Sequence, residues 1–175
     1  MDKPICLLDM DGTIADLYHY PDRCGIITNH SKDPWTEGSQ NANAKACARM
    51  FSSLNPMISA EELGGYLRDH FSRTIVCTMT PWQAPDDVCM EVASAKIEWL
   101  HKHYPFLQEY IVLQYQESKN DIDSGLVRSS MLTGLPLGWQ PDAKTVLIDD
   151  SAKLRHNFVG AALVPYWLDR FEPNL

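Results

Sequence analysis

Apolar residues gather into four short unbroken runs along this chain, at residues 5–8, 74–78, 110–115 and 145–148. Continuous runs suit parallel strands covered on both faces, whereas alternation belongs to a sheet with one wet face. A fifth run, at 163–167, contains Pro165, whose missing backbone donor suits a sheet edge. Between the runs the apolar spacing turns helical. Ser59-Ala60-Glu61-Glu62 has the form of a capping box and opens a helix reaching about Phe71, with Leu63, Leu67 and Phe71 on one stripe. A second helix is predicted from about Asp86 to His103, carrying Val88, Val92 and Trp99 on its apolar stripe and ending before Pro105. A third is predicted over 151–161, closed near Gly160. Alternation of this kind predicts an α/β fold built on a doubly wound parallel sheet.

Two stretches break the alternation. Residues 17–55 contain Pro21, Pro34, Gly38 and several Asn, with one predicted helix over about 41–53. They read as a small, mostly helical cap inserted after the first strand, leaving 1–16 and 56–175 as the core. The aromatic residues Tyr18, Tyr20, Trp35 and Phe51 are candidates to close over a planar ligand, although Phe51 also suits the cap's own small core. The second stretch, 120–142, carries three glycines and two prolines. It is long for a connection and reads as a flap or a partner surface.

Composition narrows the setting. A chain of 175 residues buries one substantial core and is too short for two full domains. The net charge of −8 argues against nonspecific nucleic-acid binding, which rewards a basic face. The five cysteines are odd in number and form no C-x-x-C pair, so they read as small hydrophobes in a reducing compartment. No segment approaches the roughly 18 apolar residues of a membrane span, and Met1-Asp2-Lys3-Pro4 opens no secretion signal. The expected location is cytoplasmic.

Candidate chemistry sits where the strands end. Asp9-Met10-Asp11-Gly12-Thr13 follows the first apolar run directly, and Gly12 lets the chain bend into a loop at the carboxyl end of the strand, where open α/β sheets bind ligands. Two acids there suit phosphoryl transfer, with Asp9 attacking phosphorus, Asp11 moving a proton and a hard cation screening the charge. An Asp-rich turn is the alternative. Thr78, with its hydroxyl, and Met79, with its backbone N–H, end the second run and could donate to phosphoryl oxygens. Lys96 falls on an apolar stripe, where a cation needs a buried negative charge to explain it, and is preferred as the phosphate lysine. Lys119, just after the third run, is the competing candidate and reads as a surface lysine in a loop. Asp149 and Asp150 end the fourth run at the mouth of a helix. They serve there as helix-capping acids or, beside Asp9, as ligands of an oxygen-rich Mg²⁺ site.

Taken in order, these pieces resemble the motif set of the haloacid dehalogenase-like (HAD) phosphatases, over residues 1–16 and 56 to about 167. The chain is most similar to the 5'(3')-deoxyribonucleotidase branch, through Asp9-Met10-Asp11-Gly12 with Ala15-Asp16, Cys77-Thr78 with a following proline, the Lys96–Tyr104 helix, Phe106-Leu107, and Leu147-Ile148-Asp149-Asp150. The resemblance implies a Rossmann-like core and an Mg²⁺-dependent phosphatase acting through an aspartyl-phosphate. Asp9 is then the nucleophile and Asp11 the general acid and base. Mg²⁺ is held by Asp9, the backbone carbonyl of Asp11 and Asp150, with Asp149 nearby through water; Thr78 and Lys96 bind the phosphate. The chain departs from the branch at Thr13, where an apolar residue is more usual, in the length of 120–142 and in a short cap without a clear match.

The expected substrate is a nucleoside monophosphate, a deoxyribonucleotide first, and a homodimer is compatible with that reading. The alternatives are another small phosphoester such as a sugar phosphate, or a regulatory binding protein on the same scaffold. Retention of both Asp9 and Asp11 speaks against the last, because a binding module has no use for the pair.

Overall fold

The computed structural model describes residues 3–19, 40–81, 84–116, 118–123, 125–132, 134–135 and 138–170. Four central strands, β1 (Ile5–Leu8), β2 (Arg73–Met79), β3 (Tyr110–Leu113) and β5 (Thr145–Ile148), coincide with the apolar runs and pair in parallel. Two edge strands complete a six-stranded sheet of order β4-β3-β2-β1-β5-β6: β4 (Gly125–Arg128) is antiparallel to β3, and β6 (Ala161–Leu163) is parallel to β5. The chain winds outward from β1 through β2 and β3, then returns to lay β5 on the other side of β1. The reversal of winding therefore falls between β1 and β5, and their carboxyl ends form the crevice in which such sheets hold ligands.

Side-chain alternation along the strands divides the interior in two. Cys6, Leu8, Val76 and Ile148 face one side, against helices α1 (Gln40–Ser53), α2 (Ala60–His70) and α3 (Asp86–His103). Helix α2 begins as its capping box requires, with the Ser59 hydroxyl accepting from the Glu62 N–H at 3.1 Å. Helix α3 spans the predicted range and buries Val88, Val92, Trp99 and, among them, Lys96. Helix α1, within the 17–55 insertion, packs along α3 through Cys47, Met50 and Phe51. Trp35, Tyr20 and Cys24 lie outside the described residues.

The opposite side departs from expectation. Leu7, Ile75, Ile111 and Leu147 are covered by Ile122, Phe158 and the half-buried Leu132, Leu135 and Trp139. The described part of the 120–142 stretch supplies the antiparallel edge strand and, through Ile122, Leu132, Leu135 and Trp139, part of the cover on this face. The predicted 151–161 helix is also shorter. Helix α4 (Ala152–His156) ends at Asn157, because the chain must return to start β6 through Gly160. A Cβ at Gly160 would stand 2.1 Å from the Thr145 carbonyl oxygen, so only glycine lets the backbones approach there. A short 3₁₀ helix, Tyr166–Arg170, follows β6 and buries Trp167. The four described cysteines are all buried, and no helix among the described residues is long and apolar enough to cross a membrane.

Candidate functional site

Asp9 leaves β1 with its N–H still donating to the Ile148 carbonyl of β5 at 2.9 Å, so the end of the central strand is pinned to its neighbour. The chain then turns through Gly12, at φ +73°, in the left-handed region that glycine enters without cost. A side chain there would also collide with Asp150, whose Oδ2 lies 2.7 Å from the ideal Cβ position. Gly12 thus makes the bend and admits the acid of the adjacent strand. The turn is held by Ile14 N–H to Met10 O at 2.9 Å and by the Trp167 indole N–H to Thr13 O at 2.6 Å.

Four carboxylates converge on this turn. Oxygens of Asp9, Asp149 and Asp150 lie within 4.8 Å of one another, an arrangement that could hold a metal ion. Asp149 is fully buried; its Oδ2 accepts from Lys119 at 2.8 Å and its Oδ1 from the Ser151 N–H at 2.8 Å. Lys119 also donates to Asp9 Oδ1. Asp150 accepts from the Tyr18 hydroxyl, and Thr13 Oγ1 stands 3.2 Å from Asp9 Oδ2 and 3.4 Å from Asp150 Oδ1. The fourth acid, Asp11, offers its Oδ2 to Lys96, which donates as well to Thr78 Oγ1 at 3.0 Å and to the Met79 carbonyl at 2.6 Å.

Of the two lysines, one differs from the sequence expectation. Lys119 is not a surface lysine: it is completely buried, and two strand-end carboxylates supply the reason, since a buried ammonium persists where it is paired. Lys96 is buried as its place on the apolar stripe suggests, reaching from α3 past the Phe51 ring, whose centroid lies 4.3 Å from Nζ, and its acid partner is Asp11. Phe51 is itself buried among the core residues. Tyr18 is exposed and engages Asp150 through its hydroxyl. From the sequence, Thr13 stood out only as a departure from the family pattern, and neither it nor Tyr115 was assigned to the site. A hydroxyl two residues beyond Asp11 is a signal for the first; Tyr115, ending the third apolar run, carried none.

Burial pushes the Asp9 carboxyl well above the usual carboxylate range; Lys119 pulls it back, but Asp149, Asp150 and Asp11 add to the rise. Burial also raises Asp150, opposed by the Tyr18 hydrogen bond. Burial favours the neutral amine of Lys119, yet Asp9 and Asp149 outweigh it and keep the ammonium charged. The cluster therefore carries more negative charge than one lysine offsets, and a cation would relieve it.

This has a sign that can be measured. A carboxyl raised above its unfolded value stabilises the fold below that value, near pH 4, and the contribution is lost as pH rises through the elevated folded value. A divalent cation favours the ionised acids and restores it. The rise in melting temperature caused by MgCl₂, relative to EDTA, is expected to be larger at about pH 8 than at about pH 5. An equal or absent rise at both would remove the cation from this site.

Asp9, Asp11, Lys119 and Asp150 line a cleft of about 240 Å³, flanked by Phe51 and Tyr115. Its chemistry is an acidic floor with two embedded ammonium groups and an apolar flank. No family model matches the chain, and no curated protein matches it.

Proposed function

We propose that this protein is a Mg²⁺-dependent phosphatase that hydrolyses nucleoside monophosphates, deoxyribonucleotides first, through an aspartyl-phosphate on Asp9. The observation that carries the proposal is the gathering of Asp9, Asp149 and Asp150 within 4.8 Å of one another, with the buried Lys119 on Asp9 and Asp149, at the reversal point of the sheet. Three carboxylates with one ammonium have little structural use, but they suit a site that takes up a cation and a phosphate together.

The donor set fits Mg²⁺, a hard cation served by carboxylate and carbonyl oxygens. Asp9, Asp150 and the backbone carbonyl of Asp11 would hold it, and it would supply charge compensation for the dianionic phosphate. Asp149, with both oxygens already engaged by Lys119 and the Ser151 N–H, supports the site from behind.

The remaining steps belong to the chain's own groups. Lys119 uses two donors on Asp9 and Asp149, leaving its third N–H without an acceptor among the described residues and available for a phosphoryl oxygen. An Asp9 oxygen forms the bond to phosphorus while the ester P–O bond breaks, and Asp11 delivers a proton to the departing sugar oxygen. Asp11 then takes a proton from the water that hydrolyses the acyl phosphate, which returns Asp9. The apolar flank of Phe51 and Tyr115 gives a nucleoside a surface that a bare sugar phosphate does not use. Placing the 17–55 insertion as a cap over this cleft belongs to the same proposal.

The test is phosphate release from ribo- and deoxyribonucleoside monophosphates and from sugar phosphates, each with MgCl₂ and with EDTA. Release from the nucleotides, deoxyribonucleotides ahead, and its loss in EDTA are expected. Indifference to EDTA would defeat the metal site, and release confined to sugar phosphates would defeat the substrate assignment.

A further inference from the structure

The two edges of the six-stranded sheet are finished differently. At one edge, the register of β4 against β3 shifts between Val112 and Leu113, and the strand ends on the exposed Arg128, ion-paired with Asp123 at 3.4 Å. Irregular register and charge are devices that keep an edge strand from pairing with another chain. The other edge, β6, has no such charge. Residues 157–168 contain no Asp, Glu, Lys or Arg. Around the strand, Val159, Leu163, Val164 and Tyr166 are each between 43% and 54% exposed.

The backbone of β6 is open on the same side. The Leu163 carbonyl accepts from the Asp149 N–H at 3.2 Å, so Leu163 turns its backbone groups toward β5. Alternation along the strand then turns the N–H and carbonyl of Ala162 outward. An outward N–H and carbonyl on one residue are what a hydrogen-bonded pair of an antiparallel ladder requires. A two-fold axis through such a pair would set Ala162 against the partner's Ala162. Leu163 then stands opposite the partner's Ala161, and Val164 opposite the partner's Gly160, a large residue against a small one at each place.

Charge decides what covers this edge. Two chains of net charge −8 repel one another, and an uncharged edge is where their approach costs least. A strand edge is also complementary to itself across a two-fold axis, which closes the assembly at two copies. We propose that β6 is the interaction surface for a second copy of this chain, the two sheets joining antiparallel at Ala162 into one continuous sheet. The proposal goes beyond the phosphatase reading and does not depend on it, since the cleft lies at the carboxyl ends of the strands rather than at the sheet's edge.

The test is sedimentation of the full chain at concentrations up to about 100 µM, with Leu163→Lys, Ala162→Pro and Met131→Lys beside wild type. Wild type is expected to sediment as a dimer. Leu163→Lys sets a charge among the apolar side chains of the edge and is expected to raise the dimer dissociation constant at least about tenfold. Ala162→Pro removes an outward N–H, a loss that an edge strand tolerates, and is expected to weaken the dimer as much while the melting temperature holds. Met131→Lys alters an exposed apolar residue beyond β4 and is expected to leave the dimer intact. A wild type that stays monomeric leaves the edge to a different partner and overturns the proposal. Growth into larger assemblies overturns it too, as does a dimer lost with Met131→Lys but kept with Leu163→Lys. Should Ala162→Pro fail to fold, amide exchange of wild type decides: the Ala162 N–H is expected to exchange more slowly as concentration rises through the dimer range, and exchange independent of concentration overturns pairing at this strand.

Discussion

Asp9→Asn is expected to lower phosphate release by at least about a thousandfold while leaving the fold intact, the scale seen when a covalent nucleophile is removed from its supporting site. The amide keeps the shape of the carboxylate but cannot form the acyl phosphate. Its effect on stability has the opposite sign from an ordinary buried substitution. In the metal-free protein Asp9 sits where burial and three neighbouring acids oppose its ionisation, so a neutral side chain relieves repulsion. Lys119 keeps Asp149 as its partner. The melting temperature in EDTA should therefore hold or rise at neutral pH, and the increment given by MgCl₂ should shrink. Near-normal turnover in this variant would end the nucleophile assignment, whatever its stability.

Lys119→Met is expected to have the largest effect on stability. The side chain is completely buried between Asp9 and Asp149, and removing one partner of a buried ion pair leaves the other charges unpaired, at a cost of about 3–5 kcal/mol. Because Asp9 is already inclined to hold a proton, neutralisation offsets part of that cost. The expected destabilisation is about 3 kcal/mol, or roughly 6–12 °C in melting temperature for a chain of this size. MgCl₂ should recover more of the loss than it adds to wild type, since it supplies the missing positive charge. Activity is expected to fall by about a hundredfold or more, because preorganised charge at the phosphoryl group is lost. A fully exposed lysine would give neither result; a shift under about 1 °C would show that the pairing contributes nothing to stability.

The two substitutions bear on how much of the molecule can be read from its residues. Continuous apolar runs located β1 and β5 to the residue, because strands buried on both faces leave no room for polar interruption. Helix α3 was legible for the same reason, its stripe being long and bounded by Pro105. Strand β4 was not: Gly125-Leu126-Val127-Arg128 is four residues within a glycine- and proline-rich stretch, and only its register against β3 makes it a strand. The true extent of α4 depends on a backbone approach at Gly160 that no local pattern encodes.

At the site, the strand-end acids announced themselves by position. Lys119 was hidden because a lysine's burial is decided by which carboxylates the folded chain brings to it, here from positions 110 and 30 residues away. A count of charges held a hint: Asp9, Asp11, Asp149 and Asp150 in one crevice ask for more than one lysine. The pairing of Lys96 with Asp11, and of Tyr18 with Asp150, needed the folded geometry.

The position of β1 between β2 and β5 also sets an order of events during synthesis. Residues 5–8 are made before both strands that pair with them: β2 follows about 70 positions later, but the other side waits for 145–148. Until then the central strand has an open hydrogen-bonding edge and an apolar face, the features that make nascent chains adhere to one another. The acids Asp149 and Asp150 arrive with that last central strand. The charge cluster, and any cation it takes up, is thus assembled only when the sheet itself is nearly closed, which makes cation uptake a sensitive reporter of the final step of folding.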